Sequence, residues 1–328
     1  MDKQAWTTLT RSEFEDLSAD FDGMVLETPG IDTFCSSSFW ILSAADALHE
    51  RSATRFLQHP LGYACLARHH LPQWGVILMP LEAAWCLASP LATSQPEAFV
   101  REFANEIRRD RTWNTLFLAG LPLDGRLWHA LLNVFRGGLI YRANESIRCQ
   151  ASLVGGLDGF LGRRTAKFRK NIRRSQRAAS AAGIRFTWRD RWQNSDEMLF
   201  FDSAMELEAR SWKGMAGEGV NEGQMRRFYA HMIPRLAERG CFRAVTAHLD
   251  DELVGFAFGG VLGGRFRGLQ FSYLPRWKQL SLGNLMQVEL VKHLCGEGVE
   301  IYDLGMDMPY KRRWSEISMA THSLIVKR

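Results

Sequence analysis

The stretch VEIYDLGMDMPYKRRW, residues 299–314, joins a short apolar segment to a charged loop. The apolar segment, Val299–Gly305, has the composition of a buried strand and ends at a glycine. The residues that follow combine a carboxylate, two aromatic rings and a basic cluster. Proteins that alternate helices and strands place ligand-binding groups at strand ends and in the loops beyond them. This stretch therefore predicts an α/β fold with a functional loop at the end of a late strand.

Two carboxylates in this stretch are candidates for a general base. Asp307 lies in the loop, and Asp303 lies near the end of the strand. A carboxylate at such a position can accept a proton from an attacking amine or hydroxyl. We predict that Asp307 is the base and that Asp303 is the second candidate. The alternative is a solvated loop in which Asp307 forms an ion pair with Arg312.

Basic and phenolic side chains complete the predicted catalytic set. Lys311 and Arg312 can hold an anionic substrate, and Lys311 can also stabilise a developing oxyanion. Tyr310, or Tyr273 from an earlier strand, can protonate the leaving group. The cysteines do not cluster with histidines at the spacing of a zinc site, and we expect no metal in this set.

An apolar-faced helix precedes this strand, and a glycine-containing turn opens the helix. The helix is predicted from Leu285, and the residues before it are Ser281, Leu282, Gly283 and Asn284. A helix N-terminus presents main-chain N–H groups and the positive end of the helix dipole, which suit a phosphate. We therefore predict that these four residues bind the phosphate of a donor. The alternative is that Ser281 or Asn284 is only the N-cap of the helix.

The rest of the chain predicts that each half has the same architecture, an α/β fold with a mixed sheet. In the second half the predicted strands are Ile184–Arg189, Phe242–Leu249, Leu253–Val261 and Phe266–Tyr273, and the predicted helices are Met198–Trp212 and Gln224–Glu238. In the first half the predicted strands are Gly62–His69, Gly75–Leu81, Ala83–Ala88, Thr115–Ala119 and Leu139–Arg142, and the predicted helices are Gln95–Arg109 and Leu127–Phe135. We predict one domain over residues 1–158 and a second over residues 159–328.

The most basic stretch of the chain lies between the two halves. Residues 163–177 contain eight Lys or Arg side chains and no acidic one. Leu161, Phe168, Ile172 and Ala179 fall near one helical face, so the stretch predicts a basic amphipathic helix. Such a helix can serve as the structural link between two domains. Its cations can also neutralise the phosphates of a tRNA.

Composition limits the class of protein. The chain has 328 residues, of which 46% are hydrophobic and 23% charged, and a net charge of +5, which is typical of a globular protein with room for two domains. Its six cysteines form no C-x-x-C pair and are expected to be reduced. The polar, acidic N-terminal sequence shows no secretory signal. The apolar segment 74–92 contains Pro80, Glu82 and Pro90, which favour buried strands over a membrane span. We therefore expect a cytoplasmic protein without a transmembrane segment.

Four motifs together resemble a known family. They are KFRKNIRR (167–174), ELEARSWKG (206–214), SLGNLM (281–286) and YDLGMDMPYKRRW (302–314). Their order and spacing are similar to those of the FemAB/CelD-like branch of the GNAT acyltransferase superfamily. The resemblance is firm in the second half and looser in the first. It implies two tandem GNAT-like domains joined by a basic helix.

The resemblance also implies an activity, the transfer of an acyl group to an amine or hydroxyl. The implied donor is an acyl-CoA such as acetyl-CoA. The implied acceptor is a small molecule or a carrier-linked group of the cell envelope, since CelD-like members are associated with polysaccharide biosynthesis. Trp212 and Lys213 in the second motif are expected to bind substrate, although Trp212 also suits a core position.

The loop before the central helix departs from the usual family pattern. GNAT enzymes carry R/Q-x-x-G-x-G/A there to grip the CoA pyrophosphate, and the matching stretch 279–284 keeps only Gly283 of the two glycines. Two alternatives therefore stay open. One is Fem-type transfer from an aminoacyl-tRNA, and the other is a non-catalytic GNAT-like module that binds an anionic ligand.

Overall fold

The computed structural model describes residues 6–328, apart from the side chain of Asn144, and residues 1–5 of the predicted first domain lie outside it. The chain forms two compact units. The first unit contains the residues up to Ile147 together with Ala320–Arg328, and the second unit is Arg148–Met319. The predicted arrangement of two α/β domains is thus observed. The predicted boundary between residues 158 and 159 lies within the second unit.

The chain alternates helices and strands throughout. The elements up to the first crossing between units are β1 (Thr7–Leu9), α1 (Arg11–Asp16), α2 (Ser18–Glu27), α3 (Ser38–Leu48), β2 (Thr54–His59), β3 (Gly62–Leu71), β4 (Gly75–Pro80), β5 (Leu91–Ala92), α4 (Pro96–Arg109), β6 (Thr115–Leu121), α5 (Arg126–Val134) and β7 (Leu139–Ser152). The elements after it are α6 (Gly156–Gly162), α7 (Ala166–Ala181), β8 (Ile184–Arg189), α8 (Asp196–Ala209), α9 (Trp212–Met215), α10 (Gly223–Glu238), β9 (Phe242–Leu249), β10 (Glu252–Leu262), β11 (Arg265–Tyr273), α11 (Leu282–Gly296), β12 (Ile301–Met306) and β13 (Ile317–Lys327). Short 3-10 turns cover Arg51–Ala53, Pro275–Leu280 and Lys311–Arg313.

The two sheets share one plan. In the first unit the strand order is β1-β2-β3-β4-β6-β13-β7, with β5 beside β3, and β4 runs parallel to β6. In the second unit the order is β7-β12-β11-β10-β9-β8, and β11 runs parallel to β12. Each parallel pair is connected by a helix, α4 in the first unit and α11 in the second. The predicted repeat of architecture is therefore present, with β6 and β12 at equivalent places.

Helices cover both faces of the sheet in the second unit. The ring atoms of Phe271 and Tyr273 on β11 lie beside Gly283 of α11. The hydroxyl of Ser272, between them, donates a hydrogen bond to Glu208 of α8. Because successive side chains of a strand point to opposite faces, α11 and α8 cover opposite faces of this sheet.

The basic stretch forms α7, as predicted. The helix begins after Thr165, whose hydroxyl accepts a hydrogen bond from the main-chain N–H of Phe168 at 3.2 Å. Phe168 and Ile172 are buried, while most of the Lys and Arg side chains are exposed. The ring of Phe168 packs edge-on against Trp314, with ring centroids 5.0 Å apart. The apolar face of α7 therefore supports the loop that follows β12.

The predicted strand Ala83–Ala88 is wrong. The carboxylate of Glu82, which is fully buried, accepts hydrogen bonds from the main-chain N–H groups of Trp85 at 2.5 Å and Leu87 at 3.3 Å. These bonds curl the chain into a turn, and the next strand begins only at Leu91. Local side-chain bonding to the main chain has displaced strand pairing here.

Several other boundaries differ from the sequence prediction, and α11 begins at Leu282 rather than at Leu285. The predicted helix Met198–Trp212 divides into α8 and α9, because Ser211 caps a new turn by accepting the N–H groups of Lys213 and Gly214. The predicted strand Leu139–Arg142 is the start of the longer β7.

Among residues 6–328, no helix has the length and apolarity needed to cross a bilayer. All six cysteines are free thiols.

We predict that Phe168→Ala destabilises the protein. Truncation of a buried Phe typically costs about 3–5 kcal/mol, because contacts are lost and a cavity remains. Chemical denaturation measures the change in the free energy of unfolding. The matched control is Arg173→Ala on the exposed face of α7, which should leave that free energy nearly unchanged. Equal stability of the two variants would contradict the packing role of the helix.

Candidate functional site

The site lies where two parallel strands of the second unit separate. In the described chain β11 and β12 pair through three residue pairs, the last of which is Arg267 with Asp303. Beyond that pair, β11 continues to Tyr273 and β12 to Met306. We call the space between these two unpaired segments the strand opening. It exposes main-chain groups that a continuous sheet would use for pairing.

An ion cluster fixes the last paired residues. Asp303 accepts hydrogen bonds from Arg267 Nη1 at 2.8 Å, Gln150 Nε2 at 3.2 Å and the main-chain N–H of Gly305 at 2.7 Å. Arg148 Nη1 lies 3.8 Å from Asp303 Oδ2, the oxygen that also accepts from Gln150. Burial alone raises the pKa of Asp303, but Arg267 and Arg148 outweigh burial and lower it. Asp303 thus ties β7, β11 and β12 together as a carboxylate, and its oxygens are engaged within the protein.

Two lysine ammonium groups border the strand opening. Lys311 Nζ donates to the main-chain oxygen of Met306 on β12 at 2.9 Å. Lys213 Nζ donates to the main-chain oxygen of Phe271 on β11 at 2.7 Å and to Gln270 Oε1 at 3.2 Å. Burial, followed by the charge of Arg267, lowers the pKa of Lys311 to about 8. Burial also lowers the pKa of Lys213. The opening is therefore lined by cations that carry little of their normal hydration.

Gly305 keeps a small space free beside these cations. Its φ is +83°, a conformation that favours glycine. A Cβ at this position would lie 3.3 Å from Arg267 Nη2 and 3.5 Å from Lys311 Nζ. Converging donors in a desolvated position suit an oxyanion or another anionic group.

Asp307 forms an ion pair with Arg312, which is the alternative given in the sequence analysis. Its carboxylate lies 2.7 Å from Arg312 Nη2. It also accepts a hydrogen bond from the thiol of Cys149 at 3.2 Å. The hydrogen bonds from Arg312, and then from Cys149, lower the pKa of Asp307. Burial is the main cause that raises the pKa of Cys149, so its thiol stays protonated at neutral pH. Asp307 lies in the same loop as Lys311, but it can act as a base only if Arg312 releases it.

The two tyrosines differ in their place at the site. Tyr310 packs against Phe271 with ring centroids 6.1 Å apart, and burial raises its pKa to about 12. The Tyr273 ring lies beside Gly283, and burial raises its pKa as well. Both phenols therefore keep their proton through the neutral range and can donate it.

The predicted phosphate-binding residues open α11. Ser281 is the N-cap, with φ +56°, and its main-chain oxygen accepts the N–H groups of Asn284 at 2.9 Å and Leu285 at 3.2 Å. Its hydroxyl makes no capping hydrogen bond. A Cβ at Gly283 would lie 3.1 Å from the rings of Phe271 and Tyr273. Gly283 thus allows α11 to pack closely on β11, and Leu282 beside it is fully buried.

The structure brings most of the predicted residues together. Asp303, Asp307, Tyr310, Lys311 and Arg312 lie on β12 and the loop after it. Lys213 reaches the strand opening from α9, whereas the side chain of Trp212 is 42% exposed.

Sequence reasoning missed Arg148, Arg267 and Glu208. Glu208 follows Phe201 and Ala204 at helical spacing, so a charged residue on the apolar face of α8 was a usable signal. The two arginines gave no comparable signal, because their partner lies far away in the sequence.

The equivalent place in the first unit is closed by the chain itself. There β4 and β6 pair only through Ile77 with Thr115 and Leu78 with Leu116. Gly120 on β6 has φ +68°, and a Cβ on it would lie 2.6 Å from the main-chain oxygen of Leu87. The turn set by Glu82 thus occupies the position that is open in the second unit.

A match to a known protein family lies within the second unit. A family profile described as "Acetyltransferase (GNAT) domain" matches residues 166–312. These residues include α7, the strand opening and the loop with Lys311. A sequence search of curated proteins finds no match.

Solved structures share the fold of both units. FemX is similar with a TM-score of 0.67 and 10% identity, over 97% of this chain and 96% of that one. A conserved protein of unknown function from Bacteroides thetaiotaomicron has a TM-score of 0.66 and 10% identity, over 98% of this chain and 99% of that one. The C-terminal domain of a putative lysylphosphatidylglycerol synthetase from Agrobacterium fabrum has a TM-score of 0.60 and 13% identity, over 97% and 92%. At these identities the likeness shows the fold alone: both α/β units of this chain are shared with FemX.

We predict that Asp303→Asn strongly destabilises the protein. Removing the carboxylate leaves Arg267 and Arg148 buried without their counter-charge, and breaking such a pair typically costs about 3–5 kcal/mol. Because the pKa of Asp303 is lowered in the folded state, this stability is present above the ordinary Asp pKa and disappears as the pH falls through the folded value. Thermal denaturation at neutral and acid pH measures it.

The matched control is Asp307→Asn. Its ion pair with Arg312 is exposed, so its melting temperature should stay near that of the wild type. A silent Asp303→Asn variant would contradict the structural role of the ion cluster.

Proposed function

We propose that this GNAT-type acyltransferase of Fem-like fold moves an acyl group from an acyl-CoA-type donor to an amine or hydroxyl at the strand opening of its second unit. The observation that carries the proposal is the pair of ammonium groups, Lys213 and Lys311, on the two sides of that opening within the matched domain. The acceptor is a small molecule or a carrier-linked group of the cell envelope or of a polysaccharide. The reaction takes place in the cytoplasm.

The proposed chemistry is direct attack on the donor carbonyl. The acceptor nitrogen or oxygen forms a bond to the carbonyl carbon, and negative charge develops on the carbonyl oxygen. Lys311 and Arg267 converge beside Gly305 and stabilise that charge. The acceptor proton passes to Asp307 once Arg312 has released it. The bond from the carbonyl carbon to the donor sulfur or oxygen breaks, and Tyr310 protonates the leaving thiolate or alkoxide. Tyr273 is the second candidate for this proton donor.

The donor phosphate is proposed to bind at Ser281–Asn284. The N-terminal end of α11 directs its dipole toward this turn, and Lys278 in the preceding 3-10 turn is exposed and adds a positive charge. These residues follow β11 directly, so a donor held here has its reactive end close to the strand opening.

A second candidate donor is an aminoacyl-tRNA. The specific observation is the exposed face of α7, which carries Lys167, Lys170, Arg173, Arg174 and Arg177 without an ion pair to any of the described acidic residues. A row of cations of this kind suits a phosphate backbone.

We predict that Lys311→Met lowers turnover about 10²–10³-fold, as removal of one oxyanion donor does in other enzymes. The wild-type rate should fall as the pH rises through about 8, because Lys311 then loses its charge. Burial disfavours the ammonium group in the folded protein, so Lys311→Met should melt at the wild-type temperature or higher.

Lys311→Arg is the matched control for charge. It should retain part of the activity and extend the active range to higher pH, since guanidinium stays protonated. Wild-type turnover of Lys311→Met would remove this residue from the mechanism.

We predict that acetyl-CoA raises the melting temperature and that Asn284→Asp weakens this effect. The new carboxylate repels the donor phosphate, while it stabilises the first turn of α11 by about 0.3–1 kcal/mol through the helix dipole. The control Asn171→Asp, on the exposed face of α7, should leave the acetyl-CoA effect unchanged. If only aminoacyl-tRNA raises the melting temperature, and Asn171→Asp weakens that rise, then the tRNA donor replaces acyl-CoA.

A further inference from the structure

A buried carboxylate lies behind the strand opening. Glu208 falls on the buried face of α8 and has no exposed surface. The hydroxyl of Ser272 on β11 donates a hydrogen bond to Glu208 Oε2. Glu208 Oε1 has no hydrogen-bond partner among the described residues. A buried carboxylate with an unbonded oxygen is unfavourable unless a cation compensates its charge.

The charge of Lys213 interacts with that of Glu208. Lys213 follows Glu208 by five residues, and its ammonium group donates to the main-chain oxygen of Phe271, the residue before Ser272. Burial lowers the pKa of Lys213, and the charge of Glu208 opposes this effect. Ser211 fixes the turn between them, because its buried hydroxyl accepts the main-chain N–H groups of Lys213 at 3.2 Å and Gly214 at 3.3 Å.

We propose that Glu208 is a positioning residue, which keeps the Lys213 ammonium charged and directed at the main chain of β11. The inference deepens the proposed function, because Lys213 borders the proposed site. It assigns a role to Glu208 in the ELEARSWKG motif, which also supplies Lys213 to the strand opening.

The other charged and titratable groups near Lys213 act against its charge or are neutral. Lys311, from the 3-10 turn after β12, and Lys213 disfavour each other's charge. From α10, Tyr229 accepts a hydrogen bond from Gln270, whose other amide atom accepts from Lys213. Glu208, from α8, is the carboxylate that supports the Lys213 charge. Neutralising Glu208 therefore leaves the repulsion from Lys311 uncompensated.

Competitive labelling with acetic anhydride tests the inference without any substrate. The whole protein is labelled over a range of pH, and mass spectrometry of the Lys213 peptide gives the midpoint of its reactivity. In Glu208→Gln this midpoint should move to lower pH by about one unit or more, because an opposite charge has been lost. In the control Glu206→Gln, an exposed carboxylate two residues earlier, it should stay in place. An unchanged midpoint in Glu208→Gln would overturn the inference.

A reciprocal variant gives an answer even if Glu208→Gln does not fold. In Lys213→Met the Glu208 carboxylate is buried without its cation, and an uncompensated buried charge is strongly destabilising. The melting temperature at neutral pH should therefore fall, and it should recover in the double variant Glu208→Gln/Lys213→Met, which removes both charges. Lys170→Met, on the exposed face of α7, is the control. A double variant that melts no higher than Lys213→Met would overturn the inference.

The labelling result is independent of the enzymatic assays. If the Lys213 midpoint shifts as expected while Lys311→Met keeps full turnover, the role of Glu208 stands and the proposed catalytic site fails. If the midpoint does not shift while Lys311→Met loses turnover, the site stands and Glu208 has no positioning role.

Discussion

The buried ion cluster of Asp303 with Arg267 and Arg148 is the constraint on which the second unit depends. It joins three neighbouring strands at the last residue pair before β11 and β12 separate. Parallel strands gain stability from continued pairing, so their separation needs a fixed point and new partners for the main chain. The cluster provides the fixed point, and the ammonium groups of Lys213 and Lys311 provide the partners. The polar groups of the site are thus a consequence of how the sheet opens.

The two units show two outcomes of one architecture. In the first unit the chain closes the equivalent position with its own turn, which the Glu82 carboxylate holds through main-chain N–H groups. In the second unit the position is bordered by cations and by a glycine that leaves space beside them. The basic helix α7 and the residues before it contact the segment after β12. Phe168 packs on Trp314, and Arg164 pairs with Glu316. The helix therefore has a structural role whatever the donor is.

The sequence predicted regular elements well where side-chain periodicity determines them. The strand Phe242–Leu249 was predicted with its observed bounds, because alternation and turn residues are local signals. The strand Ala83–Ala88 was wrong, since Glu82 bonds to the main chain in a way that hydropathy does not reveal. At the candidate site the sequence predicted a functional loop after β12, but it did not predict which side chains form buried ion pairs there. The state of Asp303 depends on arginines from distant strands, and such pairings become visible only in three dimensions.

The most direct test of the account is a crystal structure with a non-reactive donor, either an acyl-CoA analogue with a thioether in place of the thioester or a terminal adenosine carrying an amide-linked amino acid. For whichever probe binds, the account predicts a carbonyl group in the strand opening, within hydrogen-bond distance of Lys311 and beside Gly305, with the phosphate of the CoA analogue at Ser281–Asn284. The account predicts no donor beside Gly120 of the first unit. A donor bound beside Gly120, or one bound in the second unit without contact to Lys311 or Lys213, would contradict the assignment of the strand opening as the site of acyl transfer.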